Sequence, residues 1–112
     1  MDVQLKRGML DICVLSVLLR EDSYGYKIIK DLQPYVTISE STLYPILRRL
    51  ETAACVTVYS TEHNGRLRKY YQITENGRAK ISEFLEEWQG MMDIYKFIKK
   101  ERLLLNGWQV HF

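Results

Sequence analysis

Between residues 41 and 71 the hydrophobic rhythm switches from helical to extended around a run of basic side chains, and few small folds accommodate that switch. In Ser41-Thr42-Leu43-Tyr44-Pro45-Ile46-Leu47-Arg48-Arg49-Leu50-Glu51, residues Leu43, Ile46, Leu47 and Leu50 recur at i, i+3, i+4 and i+7. They share one helical face, while Ser41, Tyr44, Pro45, Arg48 and Arg49 fall on the other sides. An apolar stripe of this kind anchors a helix and leaves hydroxyls and guanidiniums outward, with the only acid of the segment, Glu51, at its far end. Such an inventory suits the major groove of DNA, where Arg reads guanine edges and hydroxyls or phosphate contacts fix register. An ordinary surface helix with solvated Arg carries the same pattern.

The segment C-terminal to this helix separates the two possibilities. Residues 56–61 are rich in β-branched and aromatic types, Tyr70, Tyr71 and Ile73 form a second such run, and Asn64-Gly65 lies between them. Asn-Gly is favoured in a tight reversal because both positions tolerate positive φ. Two strands joined at Asn64-Gly65 are therefore expected, with Arg66, Arg68 and Lys69 making the tip cationic. Charges on a hairpin also serve to prevent edge-to-edge aggregation. Placed directly after a hydroxyl- and Arg-bearing helix, they are better explained by a phosphate backbone.

The chain has 112 residues, of which 46% are hydrophobic, enough for one core but not for two independent ones. The formal net charge is only +2, so affinity for nucleic acid has to come from local clustering. Cys13 and Cys55 form no Cys-x-x-Cys pair and Cys13 sits in an apolar run; free thiols in a reducing compartment are expected, with no metal site. The apolar stretch after Arg7 is interrupted by Asp11 and closed by Arg20-Glu21-Asp22 without a small-residue cleavage site. No stretch is long enough for a bilayer, and a cytoplasmic protein without a membrane partner is expected.

Residues 5–20 read as a first helix that is apolar on more than one side. A second helix is expected over residues 24–33, with Ser23 as its cap and Pro34 ending it. Ser39, Ser41 and Thr42 are all possible caps for the third, and Pro45 favours a late start because proline is best tolerated in the first turn. Thr74-Glu75-Asn76-Gly77 signals a further helix capped by Thr74, running to about residue 102. Its stripe of Phe84, Trp88, Met91, Tyr95 and Ile98, flanked by Ile81, Leu85 and Met92, is broad enough to call for a partner helix. Folding back over its own core is the alternative. Because the first helix also has surplus apolar surface, a homodimer is expected in which Leu5, Met9, Ile12, Leu85, Trp88, Tyr95 and Ile98 contribute to the interface.

The resulting class is α+β, mainly α with a small β-hairpin: a winged helix-turn-helix over residues 1–73 and a C-terminal dimerisation helix and tail over 74–112. In this order of elements the chain resembles the PadR family of winged-helix transcriptional regulators, particularly its short subfamily. The resemblance rests on Tyr24-Gly25-Tyr26, Thr42-Leu43-Tyr44-Pro45-Ile46-Leu47-Arg48-Arg49-Leu50-Glu51, Gly65-Arg66, Arg68-Lys69-Tyr70-Tyr71 and Thr74-Glu75-Asn76-Gly77, and covers residues 5–100. It implies binding to an inverted-repeat DNA operator, repression of neighbouring genes and release by an effector. Carried onto matching positions, it makes Ser41, Thr42, Tyr44 and Arg48 the groove-facing candidates and Arg66, Arg68 and Lys69 the wing contacts; the pattern of the helix itself adds Arg49 to the expected DNA-binding set. Tyr44 can instead brace the helix, and Tyr70 and Tyr71 suit the hairpin core as well as they suit DNA. Two departures stand out: Ala54 where Gly is common, and Leu67 where Pro is frequent.

Trp88 resembles a position in multidrug-sensing relatives where a Trp faces its symmetry mate and planar cations stack between the rings. That likeness implies an effector site at Trp88, Phe84, Met91 and Met92; packing of the dimer core is the alternative. Trp108, Val110 and Phe112 alternate with polar residues after Asn106-Gly107, giving the tail a strand-like period. The chain has no Gly-rich phosphate loop, no Cys/His cluster and no nucleophile with an identifiable base, so no catalytic residue and no cofactor is expected. The competing function is a winged-helix protein-interaction module without sequence-specific DNA binding.

Overall fold

The computed structural model describes residues 3–106. Helix α1 (Val3–Leu18), helix α2 (Gly25–Leu32), helix α3 (Glu40–Thr52), strands β1 (Val56–His63) and β2 (Arg66–Ile73), and helix α4 (Glu75–Glu101) follow in order, with a 3-10 turn over Arg102–Asn106. This is the expected α+β winged helix-turn-helix with a long C-terminal helix. The chain divides into two compact units, residues 1–81 and 82–112. Among the described residues no helix is long and apolar enough to cross a membrane. The side chain of Leu5 and the tail residues Trp108, Val110, His111 and Phe112 lie outside what the structure describes.

In the first unit the core gathers Val14, Leu15 and Leu18 of α1, Ile28 of α2, Leu43, Leu47 and Leu50 of α3, and Val56 of β1, all essentially inaccessible to water. Each large side chain withdrawn in this way contributes about 1.5–3 kcal/mol. Ile12 joins this core at 8% exposure, which corrects its expected place in a dimer interface. It is consumed by the packing of its own chain.

Two helix starts also differ from expectation. Ser23 does not cap α2: Tyr24 occupies the cap position without a side-chain bond, and Ser23 pairs with β2 through Ser23 N–H to the Tyr71 carbonyl (3.1 Å) and Tyr71 N–H to the Ser23 carbonyl (2.7 Å). For α3 the cap is Ser39, whose Oγ accepts from the Thr42 amide at 3.3 Å, so the helix starts early and Pro45 lies within it as the sixth residue. The proline denies the Ser41 carbonyl its amide donor, a loss that falls on an exposed residue in the first turns of the helix.

The end of α3 is a Schellman turn. The Cys55 amide reaches back to the Leu50 carbonyl (2.8 Å) and the Ala54 amide to the Glu51 carbonyl (3.0 Å), with Leu50 and Cys55 both buried. Ala54 carries the conformational strain of this turn, at φ 58°. At the hairpin, Asn64 (φ 52°) and Gly65 (φ 78°) form the expected two-residue reversal, and the strands pair in register from Val56↔Ile73 to His63↔Arg66. Thr74 caps α4 as anticipated: its Oγ1 accepts from the Gly77 amide (3.1 Å) and donates to the Ala54 carbonyl (2.6 Å).

Candidate nucleic-acid interface

The two faces of α3 separate as its sequence requires. Leu43, Ile46, Leu47 and Leu50 are buried, while Ser41, Thr42, Tyr44 and Arg48 are exposed. At its N-terminus the hydroxyls of Ser39 and Ser41 lie 2.8 Å apart and those of Ser39 and Thr42 3.3 Å apart, holding three polar groups together at the positive end of the helix. Tyr44 also braces α2. Its hydroxyl lies 2.6 Å from the place a Cβ on Gly25 would occupy, so glycine there allows the ring to approach. Glu40 adds an exposed acid to the first turn that the expected later start had left outside the helix.

Arg49 departs from its expected role. Its Nη2 donates to Asp11 Oδ1 at 2.7 Å, so this guanidinium is held against α1 rather than offered to a groove. Adjacent positions on a helix point about 100° apart, which is why Arg48 remains outward and Arg49 does not.

In the wing, the pairs His63↔Arg66, Thr61↔Arg68 and Tyr59↔Tyr70 put Arg66 and Arg68 on one face of the ribbon, and Ser60↔Lys69 puts Lys69 on the other. Arg66 and Lys69 are exposed; Arg68 is half-buried. The Arg68 guanidinium lies 3.9 Å from the centre of the Tyr24 ring, with Nη1 3.5 Å from the Tyr70 hydroxyl. Tyr70 stacks on Tyr59 (5.6 Å, 11°) and meets Tyr24 edge-on (5.5 Å, 68°). The Tyr59 hydroxyl donates to Asp22 Oδ2 at 2.6 Å, a bond to a carboxylate that pushes the phenol above its ordinary range. Burial pushes the Tyr71 phenol the same way, and that ring belongs to the hairpin core.

An open groove of about 560 Å³ runs between these elements, lined by Tyr24, Gly25, Tyr26, Glu40, Tyr44, Arg68, Lys69 and Tyr71. It brings the start of α2, the start of α3 and the wing cations onto one surface. Sequence reading missed the contact of Tyr24 with Arg68 and the Asp22–Tyr59 bond behind the Tyr70 stack. Strand register and loop path bring them together, and neither leaves a local signal.

The second unit carries the other expected residues. Phe84 and Trp88 are half-exposed, with rings stacked at 5.9 Å and 9°, a turn apart on α4. Met92 is half-buried, and Met91, Leu85, Tyr95 and Ile98 are exposed. Ile94 and Phe97, not singled out in the sequence, widen this apolar face, each being more than 60% exposed. Met9 of α1 is half-buried. Cys13 and Cys55 are free thiols, that of Cys13 raised in pKa by burial.

Three helices, the third with an exposed polar face, and a two-stranded wing define a winged helix-turn-helix protein. The model of the "Transcriptional regulator PadR-like family" matches residues 14–83. A protein of Lysinibacillus sphaericus described only as "Uncharacterized protein X" is 37% identical over 93 residues, covering 79% of this chain and 85% of that one. The crystal structure of a PadR family transcriptional regulator from Eggerthella lenta is 34% identical, with 86% of each chain covered and a TM-score of 0.76. Bacillus subtilis PadR, solved in complex with operator DNA, shares the fold at 22% identity and TM-score 0.65, over 69% of this chain and 46% of that one. The chain belongs to the PadR-like family of transcriptional regulators.

Proposed function

We propose that this chain is a homodimeric, cytoplasmic repressor of neighbouring genes that binds an inverted-repeat operator and has no enzymatic activity. In this reading residues 1–73 bind DNA and residues 74–112 dimerise. The observation that carries it is the exposed set Ser41, Thr42, Tyr44 and Arg48 on the side of α3 opposite its four buried residues, beside a wing bearing Arg66 and Lys69. Arg48 reads base edges, while Arg66 and Lys69 neutralise phosphates. Arg68 holds the wing to Tyr24 and lends its charge to the same surface. The operator complex of Bacillus subtilis PadR, which shares this fold, supports the assignment.

The dimer reading is supported by the apolar side chains that α4 leaves exposed among the described residues, Leu85, Ile94, Tyr95, Phe97 and Ile98. A C2 dimer would present two α3 helices to the two half-sites of an inverted repeat. The stacked Phe84–Trp88 pair, with Met91 and Met92 nearby on the helix, is the proposed seat of a planar hydrophobic or cationic effector. An aromatic face attracts a cation by about 0.5–2 kcal/mol.

The test is a fluorescence-anisotropy titration against the DNA upstream of the gene, beside a scrambled duplex, at two salt concentrations. Selective binding that weakens steeply with salt is expected. Arg48→Ala should reduce the preference for the upstream duplex by about 1–3 kcal/mol. Equal, weak, salt-insensitive binding to both duplexes would replace this reading with a protein-interaction module.

A further inference from the structure

Asp11 is the one acid in the apolar middle of α1, and the fold withdraws it from water: only 12% of its side chain remains accessible. A carboxylate in that setting needs a cation and a donor. Arg49, 38 residues away on α3, provides both through the 2.7 Å contact from Nη2 to Oδ1. The arginine itself keeps 39% of its side chain exposed and lines open grooves on either side, one of about 640 Å³ with Arg48 and Lys80 and one of about 190 Å³ with Lys6 and Arg7. Asp11 is the one side chain bonded to this guanidinium among the described residues, and loss of that bond would release it toward solvent.

We infer that Asp11 is a positioning residue for DNA recognition: by holding Arg49 against α1 it fixes the rotation of α3 about its own axis and keeps a second guanidinium away from the DNA-facing side. This rests on the reading of α3 as the recognition helix. Two adjacent arginines thereby take different tasks. Arg48 is free to meet a base edge in the geometry that bidentate contact demands, and Arg49 sets the angle from which Arg48 reaches. A freed Arg49 would be a mobile cation next to the reader, able to meet any phosphate whatever the sequence.

The test uses the full chain and a duplex selected by the wild-type protein from a random pool, with its scrambled counterpart. Asp11→Asn keeps the shape of the side chain and removes its charge. It should tighten binding to the scrambled duplex about threefold and steepen the salt dependence by close to one phosphate's worth, about 0.9 in log–log slope. Binding to the selected duplex should weaken, so discrimination falls about tenfold, on the scale of one base contact. Adding Arg49→Gln should return the slope to that of the wild type, because no freed cation remains, while discrimination stays low.

Unchanged discrimination in Asp11→Asn would overturn the inference. So would parallel weakening on both duplexes together with a lower thermal midpoint, since that describes a pair that only stabilises the fold. Should Asp11→Asn fail to fold, Arg49→Gln alone decides: discrimination must fall without any gain on scrambled DNA, and retention of it overturns the inference. If the wild type enriches no sequence at all, the DNA-binding reading fails and the inference with it, an outcome distinct from a selective wild type whose variants remain equally selective.

Discussion

The two compact units of this chain treat their apolar residues in opposite ways. Residues 1–81 gather most of their aliphatic side chains into one core, and the buried Asp11 meets Arg49 while the main chain of the buried Ser23 pairs with Tyr71. Residues 82–112 leave Leu85, Ile94, Phe97 and Ile98 about 60% exposed along α4. A unit of the first kind completes its fold within one chain. The apolar surface of the second stays open among the described residues, and in the proposed dimer it is this surface that a partner helix would cover.

The largest effect that would sharpen this contrast is expected in the first core. Leu47→Ala, at a site 1% exposed, should destabilise the protein by about 2–5 kcal/mol, read as a lower urea midpoint. A loss well below that range would mean the unit is less self-contained than its burial indicates. Next in size, Ile94→Asp combined with Ile98→Asp should shift the mass measured by light scattering from two chains to one, while circular dichroism retains the helical signal of residues 3–81. A variant that remains dimeric would break the comparison at its second term.

Ala54→Gly should raise stability by about 1 kcal/mol, because the residue sits at φ 58° where glycine is unstrained. Thermal unfolding would report it, and no gain would indicate that the turn relaxes in solution. The smallest effect concerns the polar closure of the wing. Tyr59 and Tyr71 have phenols raised in the fold, by the bond to Asp22 and by burial respectively. Their contribution to stability is therefore fully present below the unfolded value of about 10 and is lost as pH rises through the higher folded values. Tyr59→Phe should flatten the loss of stability above pH about 10. An unchanged alkaline limb would separate Tyr59 from the wing's attachment.

Much of the interface is legible in the sequence. The stripe Leu43, Ile46, Leu47, Leu50, the Asn64-Gly65 reversal and the Thr74 cap are local patterns, each set by neighbours within a few positions. Ser39 outweighs Pro45 in setting the start of α3, because its hydroxyl satisfies the Thr42 amide at the helix end while the proline's missing bond falls on an exposed residue, Ser41. Local pattern misplaces Ser23 because its partner, Tyr71, lies far along the chain.

The two arginines of α3 mark where sequence stops and tertiary structure begins. Local sequence signals pointed to a winged helix-turn-helix with a recognition-type helix, a basic wing and a long amphipathic C-terminal helix, since helix face, strand alternation, caps and the Asn64-Gly65 turn depend on residues close together in each segment. They did not distinguish Arg48 from Arg49, nor Ile12 as core from Ile12 as interface. Those assignments depend on what α1 and α3 bring against one another, Asp11 across 38 residues above all, and a contact of that range exists only once the core has packed.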